Sequence, residues 1–510
     1  MLRVVIIKPS KYGVTGFVER FWRGFMPNST VRYILSMTPD SIDGVPIEVC
    51  AVDEYVHTDL GYLDLIRHPN VPTLLALVGV QSHQFQRSLD LAAFARAHGV
   101  RHCVIGGPHP MTCDTSMFSN LGVSFALSEA ENIWLPILKD AIRGELQPVY
   151  GGDRRWTAQV DAPVLIPPSR RDLRRYVNPM LGIYPARGCP FTCNFCSVIK
   201  IAGRQIRGQA VDTTIQSLRA AKAAGVKVVM FTSDNFNKYP DAAELLERMI
   251  EEDLRIPFFV QCDTQIASQE DFVHLLGRAG CFQMFVGVES FQRKTLIAAR
   301  KAQNHPELYR DIVQMCRRHK VQSHFSNIIG FPEDTPESVD GHLAILKELD
   351  PTVASFYILT PIPGTEQYDE FLSAGRITET NLDRFDAQCL TWKHPRFSKA
   401  SLESLLFDCH RKFYTLGRTV SMAAESFIRN PFSMDALVSL NQPLFSRYSA
   451  YRQRHPMSGG VGLVRRDNAA QYARFRREVF KIDFAPLPKS LELSQADSEL
   501  NGMAKLVVAR

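Results

Sequence analysis

Short apolar segments alternate with amphipathic helical segments along most of this 510-residue chain. This alternation favours α/β folds, because neighbouring parallel strands need a helical crossover between them. At this length we expect more than one domain. The alternation runs through residues 1–150, pauses at a segment rich in proline and arginine, and resumes over residues 179–368. The pattern predicts two α/β domains joined by a linker at residues 151–178.

The first domain, residues 1–150, contains five predicted strands with helices between them. The strands are Val4–Ile7, Ile47–Val52, Leu74–Val80, His102–Ile105 and Val123–Ala126. This order predicts a doubly wound, Rossmann-like parallel sheet, in which ligands bind beyond the carboxyl ends of the strands. The loop after the fourth strand is therefore a candidate site, and it consists of Gly106, Gly107, Pro108 and His109.

The second domain, residues 179–368, contains six predicted strands, again with helices between them. They are Gly182–Ala186, Val228–Thr232, Phe258–Gln261, Met284–Val288, Ser323–Ile329 and Ala354–Leu359. Six βα units in a row predict a partial (β/α)₆ barrel, with active-site residues on the loops after the strands.

The third region, residues 369–510, is predicted to be mainly helical, with breaks at prolines and at a turn beginning at Ser458. Gln388–Arg396 and Arg411–Tyr414 are candidates to cover the barrel mouth and contact substrate, although aromatic residues of this kind more often pack in a core. Residues 371–510 hold 21 Lys and Arg against 13 Asp and Glu. That excess suits an anionic substrate, a nucleic acid, a membrane surface or simply a solvated helical surface.

Composition excludes several classes of protein. No apolar run approaches the ~20 residues of a transmembrane helix, and the apolar start of the chain predicts a buried strand rather than a signal peptide. Eleven cysteines, an odd number, argue against a disulfide framework. We therefore expect a cytoplasmic protein without a transmembrane segment.

Three of the eleven cysteines lie on one short loop directly after the first barrel strand. Cys189, Cys193 and Cys196 have the spacing Cys-x₃-Cys-x₂-Cys, with Phe195 just before the last cysteine. Three thiolates can hold three corners of a [4Fe–4S] cluster and leave the fourth iron open. A zinc site or a ferredoxin-like carrier would need a fourth ligand. Chance clustering of core cysteines is disfavoured on a loop that carries glycine, proline and asparagine.

This loop resembles the CxxxCxΦC motif of the radical S-adenosylmethionine (SAM) superfamily, which follows the first strand of a (β/α)₆ barrel. The resemblance covers about residues 180–368. It implies that SAM binds the open iron and is cleaved reductively to a 5′-deoxyadenosyl radical. It also implies an electron donor such as flavodoxin or ferredoxin.

Weaker family marks follow the later strands in the expected order. Ser233, Asp234 and Asn235 stand where relatives hold the amine of SAM, and Glu289 and Ser290 stand where ribose contacts are found. The segment from Ser326 to Glu333 is similar to the family's adenine motif GxIxGxxE, although Ser326 replaces its first glycine. That motif implies cofactor-binding roles for Ile328, Gly330 and Glu333, and the cysteine motif implies one for Phe195.

An α/β domain before such a barrel resembles the cobalamin-binding subgroup of the superfamily. Gly106, Gly107, Pro108 and His109 resemble its glycine-rich turn, where a corrinoid approaches the backbone closely. Residues 128–131 resemble its acidic turn. The Asp-x-His-x-x-Gly signature is absent, so no histidine of the first loop is expected to bind cobalt. The alternative is a domain that has lost the cofactor and only packs or recruits substrate.

The resemblance implies methylation of an unactivated carbon in a small-molecule or lipid substrate, with the methyl group carried by cobalamin. Cyclisation, rearrangement or methylthiotransfer are alternatives within the superfamily, and an iron–sulfur sensor is a non-catalytic alternative. A nucleic acid is not the expected partner.

Overall fold

The computed structural model describes residues 1–152, 155–156, 160, 162–429, 434–456 and 459–498. Two of the predicted C-terminal helix breaks, Pro431 and the turn at Ser458, lie outside these residues, as does the end of the chain from residue 499. Within the described part, no helix is both long enough and apolar enough to cross a membrane.

The first part of the chain forms a seven-stranded sheet flanked by helices. The seven strands are β1 (Leu2–Lys8), β3 (Ser41–Ile42), β4 (Val45–Asp53), β5 (Thr73–Leu77), β6 (His102–Gly106), β7 (Ser124–Ala126) and β8 (Val149–Tyr150), and β2 (Arg20–Gly24) lies outside this sheet. The helices are α1 (Ser29–Ser36), α2 (Gly61–Arg67), α3 (Ser82–Ala97), α4 (Pro108–Thr112) and α5 (Ala130–Arg143).

The sheet has the order β3-β4-β1-β5-β6-β7-β8, and every pair except β3–β4 is parallel. All seven residues of β1 are buried, as expected for a parallel strand covered on both faces. The predicted doubly wound α/β architecture is confirmed. β2 belongs to a separate two-stranded sheet.

The middle of the chain forms a six-stranded parallel sheet with surrounding helices. Its elements are α6 (Arg170–Leu173), β9 (Met180–Ile183), β10 (Ala186–Arg187), α7 (Val198–Ile201), β11 (Arg207–Gly208), α8 (Val211–Ala224), β12 (Val228–Phe231), α9 (Ala242–Glu251), β13 (Phe258–Cys262), α10 (Glu270–Ala279), β14 (Cys281–Glu289), α11 (Arg293–Ala298), α12 (Tyr309–Arg318), β15 (Gln322–Ile329), α13 (Pro336–Leu349), β16 (Val353–Ile358) and α14 (Glu366–Ser373).

The order of this sheet is β16-β15-β14-β13-β12-β9, so β9 and β16 are its two edges. The barrel is therefore partial, with a lateral gap between its first and last strands. Each surrounding helix buries one apolar face, as α10 does with Val273 and Leu276 and α13 with Val339 and Leu343. β10 and β11 form a separate hairpin that carries the cysteine loop.

The last part of the chain contains α15 (Lys399–Phe413), α16 (Leu416–Arg429), α17 (Met434–Tyr451), β17 (Gly460–Val464), α18 (Ala469–Phe475) and α19 (Gln495–Ser498). β17 pairs antiparallel with β2, although the region was predicted to be helical. The π-helical segment Arg476–Phe480 follows α18, and both pack against α3 of the first sheet. The C-terminal region therefore covers the N-terminal sheet as well as the barrel.

Candidate functional site

The three clustered cysteines lie on the loop between β10 and α7. The loop begins at Gly188, whose φ of +106° favours glycine and where a Cβ atom would lie 2.2 Å from the carbonyl oxygen of Gln205. The backbone of Asn194, midway along the loop, donates to the carbonyl of Ala299, and its own carbonyl accepts from Gln367. Neighbouring loops thus hold the cysteine loop at both its start and its centre.

Amide side chains contact two of the three sulfurs. Asn235 Nδ2 donates to Cys189 Sγ at 2.9 Å, and Gln303 Nε2 donates to Cys193 Sγ at 3.7 Å. Burial, together with the charge of Cys193, raises the pKa of the Cys196 thiol to about 12. Burial and the charge of Cys196 likewise raise the pKa of Cys189. The Cys196 backbone donates to the Cys193 carbonyl at 3.2 Å, so these two cysteines lie on one tight turn.

Among the described residues, including those of this loop, no group of three or more His, Cys, Asp or Glu side chains is arranged to hold a single metal ion. A cubane cluster differs from such a site because each of its cysteines binds a different iron. The three free thiols, two of which accept from a side-chain amide, fit a cluster of this kind.

The residues after β12 hold the cysteine loop. Ser233 Oγ donates to the carbonyl of Ala186 at 2.9 Å, and Asp234 Oδ2 accepts from the Gly188 backbone at 3.1 Å. Asn235 binds Cys189, as described above. Burial raises the pKa of Asp234 to about 6. The side chains expected at the amine of SAM are therefore brought to the cluster loop, where they position its backbone and one sulfur.

The residues at the end of β14 lie beside the cluster loop. Glu289 has a φ of +62° and pairs through Oε1 with Lys301 Nζ at 2.8 Å. Lys301 lies 5.8 Å from the ring centroid of Phe195, and it lowers the pKa of Cys196 against the larger effect of burial. Ser290 caps the following turn by accepting from the Gln292 backbone at 3.1 Å. The structure thus joins Glu289 and Phe195 through Lys301, which the sequence motifs did not indicate.

The three residues of the predicted adenine motif, which lie at the end of β15 and in the turn after it, have different surroundings. Ile328 is half-buried against the barrel core, and Gly330 has a φ of +81°. The side chain of Glu333 is exposed, and the backbone carbonyl of Glu333 accepts a hydrogen bond from Arg396. The neighbouring Asp334 is buried and accepts from the backbones of Gly330 and Phe331 at 2.9 and 3.0 Å. Asp334, which the motif did not indicate, is the acid that shapes this turn.

A large cavity lies beyond the carboxyl ends of β5, β6 and β7. It measures about 1170 Å³ including its opening to solvent, and Gly106, Gly107 and Pro108 line it. Gly107 has a φ of +133°, and a Cβ atom there would lie 2.2 Å from the Val80 backbone nitrogen. Only glycine therefore lets these two loops cross at the cavity rim.

His109 does not line this cavity. Its ring stacks on Phe85 with 4.0 Å between centroids, and its Nδ1 lies 3.0 Å from Ser82 Oγ. Burial lowers the pKa of His109 to about 3, so the ring is neutral at physiological pH. The resemblance to the glycine-rich turn implied a cofactor-binding role for His109, but in this structure its ring packs against Phe85.

The cavity reaches the barrel through α1, α5 and the residues that lead into the cysteine loop. Its apolar wall includes side chains of α1 and α5, which sequence reasoning missed, and these are Tyr33, Ile34, Met37, Ile133, Trp134 and Ile137. On the barrel side Tyr184, Arg187 and Asp234 line it. Arg187 precedes Cys189 by two residues, so the cavity borders the cluster loop.

Ion pairs connect the first sheet to this loop. Arg187 binds Glu131 at 2.6 Å and Glu129 at 3.1 Å, and Arg207 binds Glu129 at 2.8 Å. Burial alone would raise the pKa of Glu131, but the charge of Arg187 outweighs it and lowers that pKa. The acidic turn predicted after the fifth strand thus serves as an anchor for the barrel.

The aromatic residues expected to cover the barrel mouth are core residues instead. Trp392 is 1% exposed and donates from Nε1 to the Leu359 carbonyl at 3.1 Å. Tyr414 is fully buried and donates to the Ala354 carbonyl at 2.8 Å. Both rings therefore pack in the core beside β16 and the residue that follows it, which is the alternative to substrate contact.

The radical SAM superfamily model matches residues 183–346 of this chain. Bacteriochlorophyllide d C-8(2)-methyltransferase of Chlorobaculum tepidum is 23% identical over 80% of this chain and 90% of its own length. The C-12(1)-methyltransferase of the same organism is 26% identical over 63% of this chain and 70% of its own length. Hopanoid C-2 methylase of Rhodopseudomonas palustris is 25% identical over 55% of each chain.

Two solved structures share the fold over most of the chain. The methyltransferase TsrM of Kitasatospora setae, solved with tryptophan and a SAM analogue, matches with a TM-score of 0.61 over 74% of this chain and 78% of its own, at 17% identity. The cobalamin-dependent enzyme OxsB matches with a TM-score of 0.57 over 99% of this chain and 84% of its own, at 12% identity. Residues 183–346 thus form a radical SAM domain, and the chain shares the fold of TsrM and OxsB over most of its length.

Proposed function

We propose that this enzyme reductively cleaves SAM and methylates an unactivated carbon of a lipid or natural product with the help of cobalamin. The proposal rests on one observation: the cavity beyond the first sheet borders the cysteine loop of the barrel. Arg187 lines the cavity beyond the first sheet, and the loop it leads into carries Cys189, Cys193 and Cys196. A cofactor in that cavity would therefore border the site where the radical forms.

The residues present fit each cofactor. The cysteine loop offers three thiols for a [4Fe–4S] cluster, and the glycine-lined cavity between the first sheet and α5 offers room for a corrinoid. When bound, the cluster supplies the electron that splits SAM into methionine and a 5′-deoxyadenosyl radical, and cobalamin supplies the methyl group.

The protein's own part is to orient these groups and to exclude water. Ser233, Asp234 and Asn235 fix the cysteine loop through the three hydrogen bonds described above. The Glu289–Lys301 pair lies next to the cluster loop, and we assign Glu289 to the ribose hydroxyls of SAM, which a carboxylate can accept from. We assign Gly106, Gly107 and Pro108 to the corrinoid.

The reaction needs one electron per SAM cleaved, and we propose a low-potential protein such as flavodoxin or ferredoxin as the donor. α11 lies beside the cysteine loop, because Asn194 Nδ2 donates to the Ala298 carbonyl, and it exposes Lys294 and Ile297. An exposed lysine beside an exposed apolar side chain, close to the cluster loop, suits contact with an acidic electron carrier. We also propose a cytoplasmic location, since all eleven cysteines are free, as a reducing compartment keeps them.

The proposal is tested with anaerobically prepared enzyme, dithionite and SAM that carries a deuterated methyl group. We expect 5′-deoxyadenosine from the wild-type enzyme and none from Cys193→Ala, while Cys316→Ala, a buried cysteine of α12, serves as the matched control. With an extract of lipids and pigments as substrate, the label should enter a product only when cobalamin is present. Cleavage of SAM by Cys193→Ala would refute the assignment of the cluster, and label transfer without cobalamin would refute its role.

A further inference from the structure

The outer face of helix α16 is apolar, although it is turned to solvent. Leu416 is 64% exposed, Val420 is 65% exposed and Ile428 is 80% exposed, and their spacing places them on one broad side of the helix. Among the exposed residues of α16 that the structure describes, none is charged. A helix on a protein surface normally carries its charged residues on the solvent side, so this face indicates an apolar partner.

The end of α17 extends this face. α16 packs against α17, and Arg447 of α17 joins their ends by donating to the Tyr414 carbonyl at 2.7 Å and to the Tyr451 hydroxyl at 3.1 Å. Because Tyr414 directly precedes α16, the start of α16 lies beside the end of α17. The exposed large apolar side chains on this end of α17 are Leu444, Tyr448 and Tyr451. Together with the three residues of α16 named above, they are called the apolar face.

A cavity lined by arginines adjoins the apolar face at Tyr448. The guanidinium carbon of Arg452 lies 5.6 Å from the ring centroid of Tyr448, and Arg452 also lines a cavity of about 1350 Å³ including its opening to solvent. Four arginines line this cavity, and none of them forms an ion pair with a residue that the structure describes. They are Arg384, Arg452, Arg454 and Arg465.

Three carboxylates line the same cavity, but they have other partners. Lys11 forms an ion pair with Asp386 and lies 3.9 Å from Glu19. Glu403 accepts from the Leu390 backbone N–H at 3.1 Å. The four arginines therefore leave an excess of positive charge in the cavity, and this excess favours anionic groups.

We propose that the apolar face and the arginine-lined cavity dock this chain on the surface of an anionic lipid bilayer. A bilayer presents anionic headgroups above an apolar interior, which matches unpaired arginines beside exposed apolar side chains. Tyrosine is itself enriched at the depth of the headgroups, because its ring is apolar and its hydroxyl is polar. Docking of this kind also gives a role to part of the excess of Lys and Arg in residues 371–510.

A second copy of the chain is the rival occupant of the apolar face. A two-fold dimer would place the same surface of both copies against itself, so the arginines of the two cavities would approach each other. An anionic bilayer instead compensates their charge. The arginines beside the apolar face therefore favour lipid over self-association.

Vesicle binding by the full-length chain tests the docking surface and needs no SAM, so its outcome is independent of the proposed reaction. Co-sedimentation is measured with vesicles of phosphatidylcholine alone and with vesicles of phosphatidylcholine and phosphatidylglycerol in equal parts. We expect saturable binding to the anionic vesicles and at least about tenfold weaker binding to the neutral ones. No binding to the anionic vesicles, or equal binding to both kinds, would overturn the proposal.

A pair of substitutions on α16 shows whether the apolar face makes the contact. Leu416→Glu with Val420→Glu should weaken binding to anionic vesicles at least about tenfold, because two apolar side chains no longer enter the bilayer. Leu135→Glu with Val149→Glu is the matched control, since these residues are also exposed but belong to α5 and β8. The control should bind as the wild type does. Unchanged binding by folded Leu416→Glu with Val420→Glu would contradict the proposal.

A second pair of substitutions tests the arginines and leaves the apolar face intact, so it serves even if the first pair folds poorly. Arg452→Gln with Arg465→Gln should weaken binding to anionic vesicles about tenfold. Arg101→Gln with Arg255→Gln, two exposed arginines elsewhere on the chain, is the control and should have no effect. Equal binding by the two pairs would show that the cavity does not meet the headgroups and would overturn its part of the proposal.

Sedimentation velocity separates docking on lipid from self-association. We expect a monomer for the wild-type chain in the absence of vesicles. A wild-type dimer that Leu416→Glu with Val420→Glu converts to a monomer would assign the apolar face to a second copy and would overturn the proposal.

Discussion

Asn235 is the residue whose contact bears most directly on the cluster. Its side-chain amide donates to Cys189 Sγ at 2.9 Å. Hydrogen bonds to the sulfurs are among the factors that set the potential of an iron–sulfur cluster, since they stabilise the more negative reduced state. A change at Asn235 should therefore move the potential without removing a ligand.

We expect Asn235→Ala to lower the midpoint potential of the cluster by on the order of tens of millivolts while iron content stays at the wild-type level. The measurement is a redox titration followed by electron paramagnetic resonance. Asn237→Ala is the matched control, because Asn237 is a neighbouring amide that bonds to Gln269 and Asp263 instead of a sulfur. An unchanged potential in Asn235→Ala would show that this contact does not act on the cluster.

Asp334 gives a pH dependence of stability. Burial raises its pKa from the ordinary value of 3.8 to about 6, against the opposing effect of two backbone N–H donors. The folded state therefore holds the proton more tightly than the unfolded state, so stability is lost as pH rises from about 4 to about 6. Asp334→Asn keeps an acceptor and does not ionise.

Between pH 4.5 and 6.5, wild type should lose about 2 kcal/mol of unfolding free energy relative to Asp334→Asn. Urea unfolding at the two pH values measures the difference. Asp311→Asn, an exposed position on α12, should follow wild type at both values. A constant difference between wild type and Asp334→Asn would contradict the shifted pKa.

The three cysteines could be proposed as cluster ligands from the sequence because their spacing is local and chemically specific, and their role stays a prediction. The residues that support their loop could not be proposed in this way. Glu333 and Asp334 are adjacent, and which of them turns inward depends on the turn after β15 and on Arg396 from a distant segment. Lys301 was missed for the same reason, since its partners Glu289 and Phe195 meet it only in the folded barrel.

Two loops of the first sheet cross at Gly107, where the backbone leaves no room for a side chain. A Cβ atom there would lie 2.2 Å from the Val80 nitrogen, and the φ of +133° already disfavours any other residue. We expect Gly107→Ala to cost about 3 kcal/mol of stability locally and to reduce bound cobalamin while iron content stays unchanged. Cobalt and iron per chain are the measurement.

Gly61→Ala is the matched control for that change, because nothing lies within 4 Å of a Cβ atom at Gly61. Full cobalamin content in Gly107→Ala would argue that the glycine turn does not border the corrinoid, and loss of iron as well would point to general unfolding.

Strands and helices with a regular pattern of apolar residues could be predicted from the sequence. Elements that depend on a partner distant in the sequence could not. Five of the seven strands of the first sheet and all six strands of the second follow from buried apolar runs, whereas the two-residue edge strands β3 and β8 were not predicted. β2 and β17 are separated by more than 400 residues and stabilise each other only as a pair. No local pattern could therefore have predicted them.

A buried network of charges holds the C-terminal region on the first sheet. Asp467 accepts from Arg20 and from Arg87 at 3.2 Å, and the same two arginines bind Glu54 at 3.0 and 2.7 Å. Burial alone would raise the pKa of Glu54, but the charges of Arg87 and Arg20 outweigh it and lower that pKa to about 2. Removing one carboxylate would leave two buried guanidinium groups short of a partner.

Asp467→Asn should therefore cost about 3 kcal/mol in unfolding free energy and should expose the segment after residue 459 to proteolysis. Glu348→Gln, which breaks the exposed pair with Arg310, should cost less than about 0.5 kcal/mol and is the control. Urea unfolding and limited proteolysis measure the two effects. Equal stability of the two variants would mean that the buried network does not hold the region in place.

In the whole molecule, we propose that a cobalamin site in the first sheet and a cluster site in the barrel lie on either side of Arg187. It is tested most directly by producing the chain anaerobically in cells supplied with cobalamin and measuring iron, sulfide and cobalt in the purified protein. The account predicts about four iron, four sulfide and one cobalt per chain. Zinc in place of iron would contradict the cluster, and a full cluster without cobalt, even after incubation with hydroxocobalamin, would contradict the cofactor role of the first sheet.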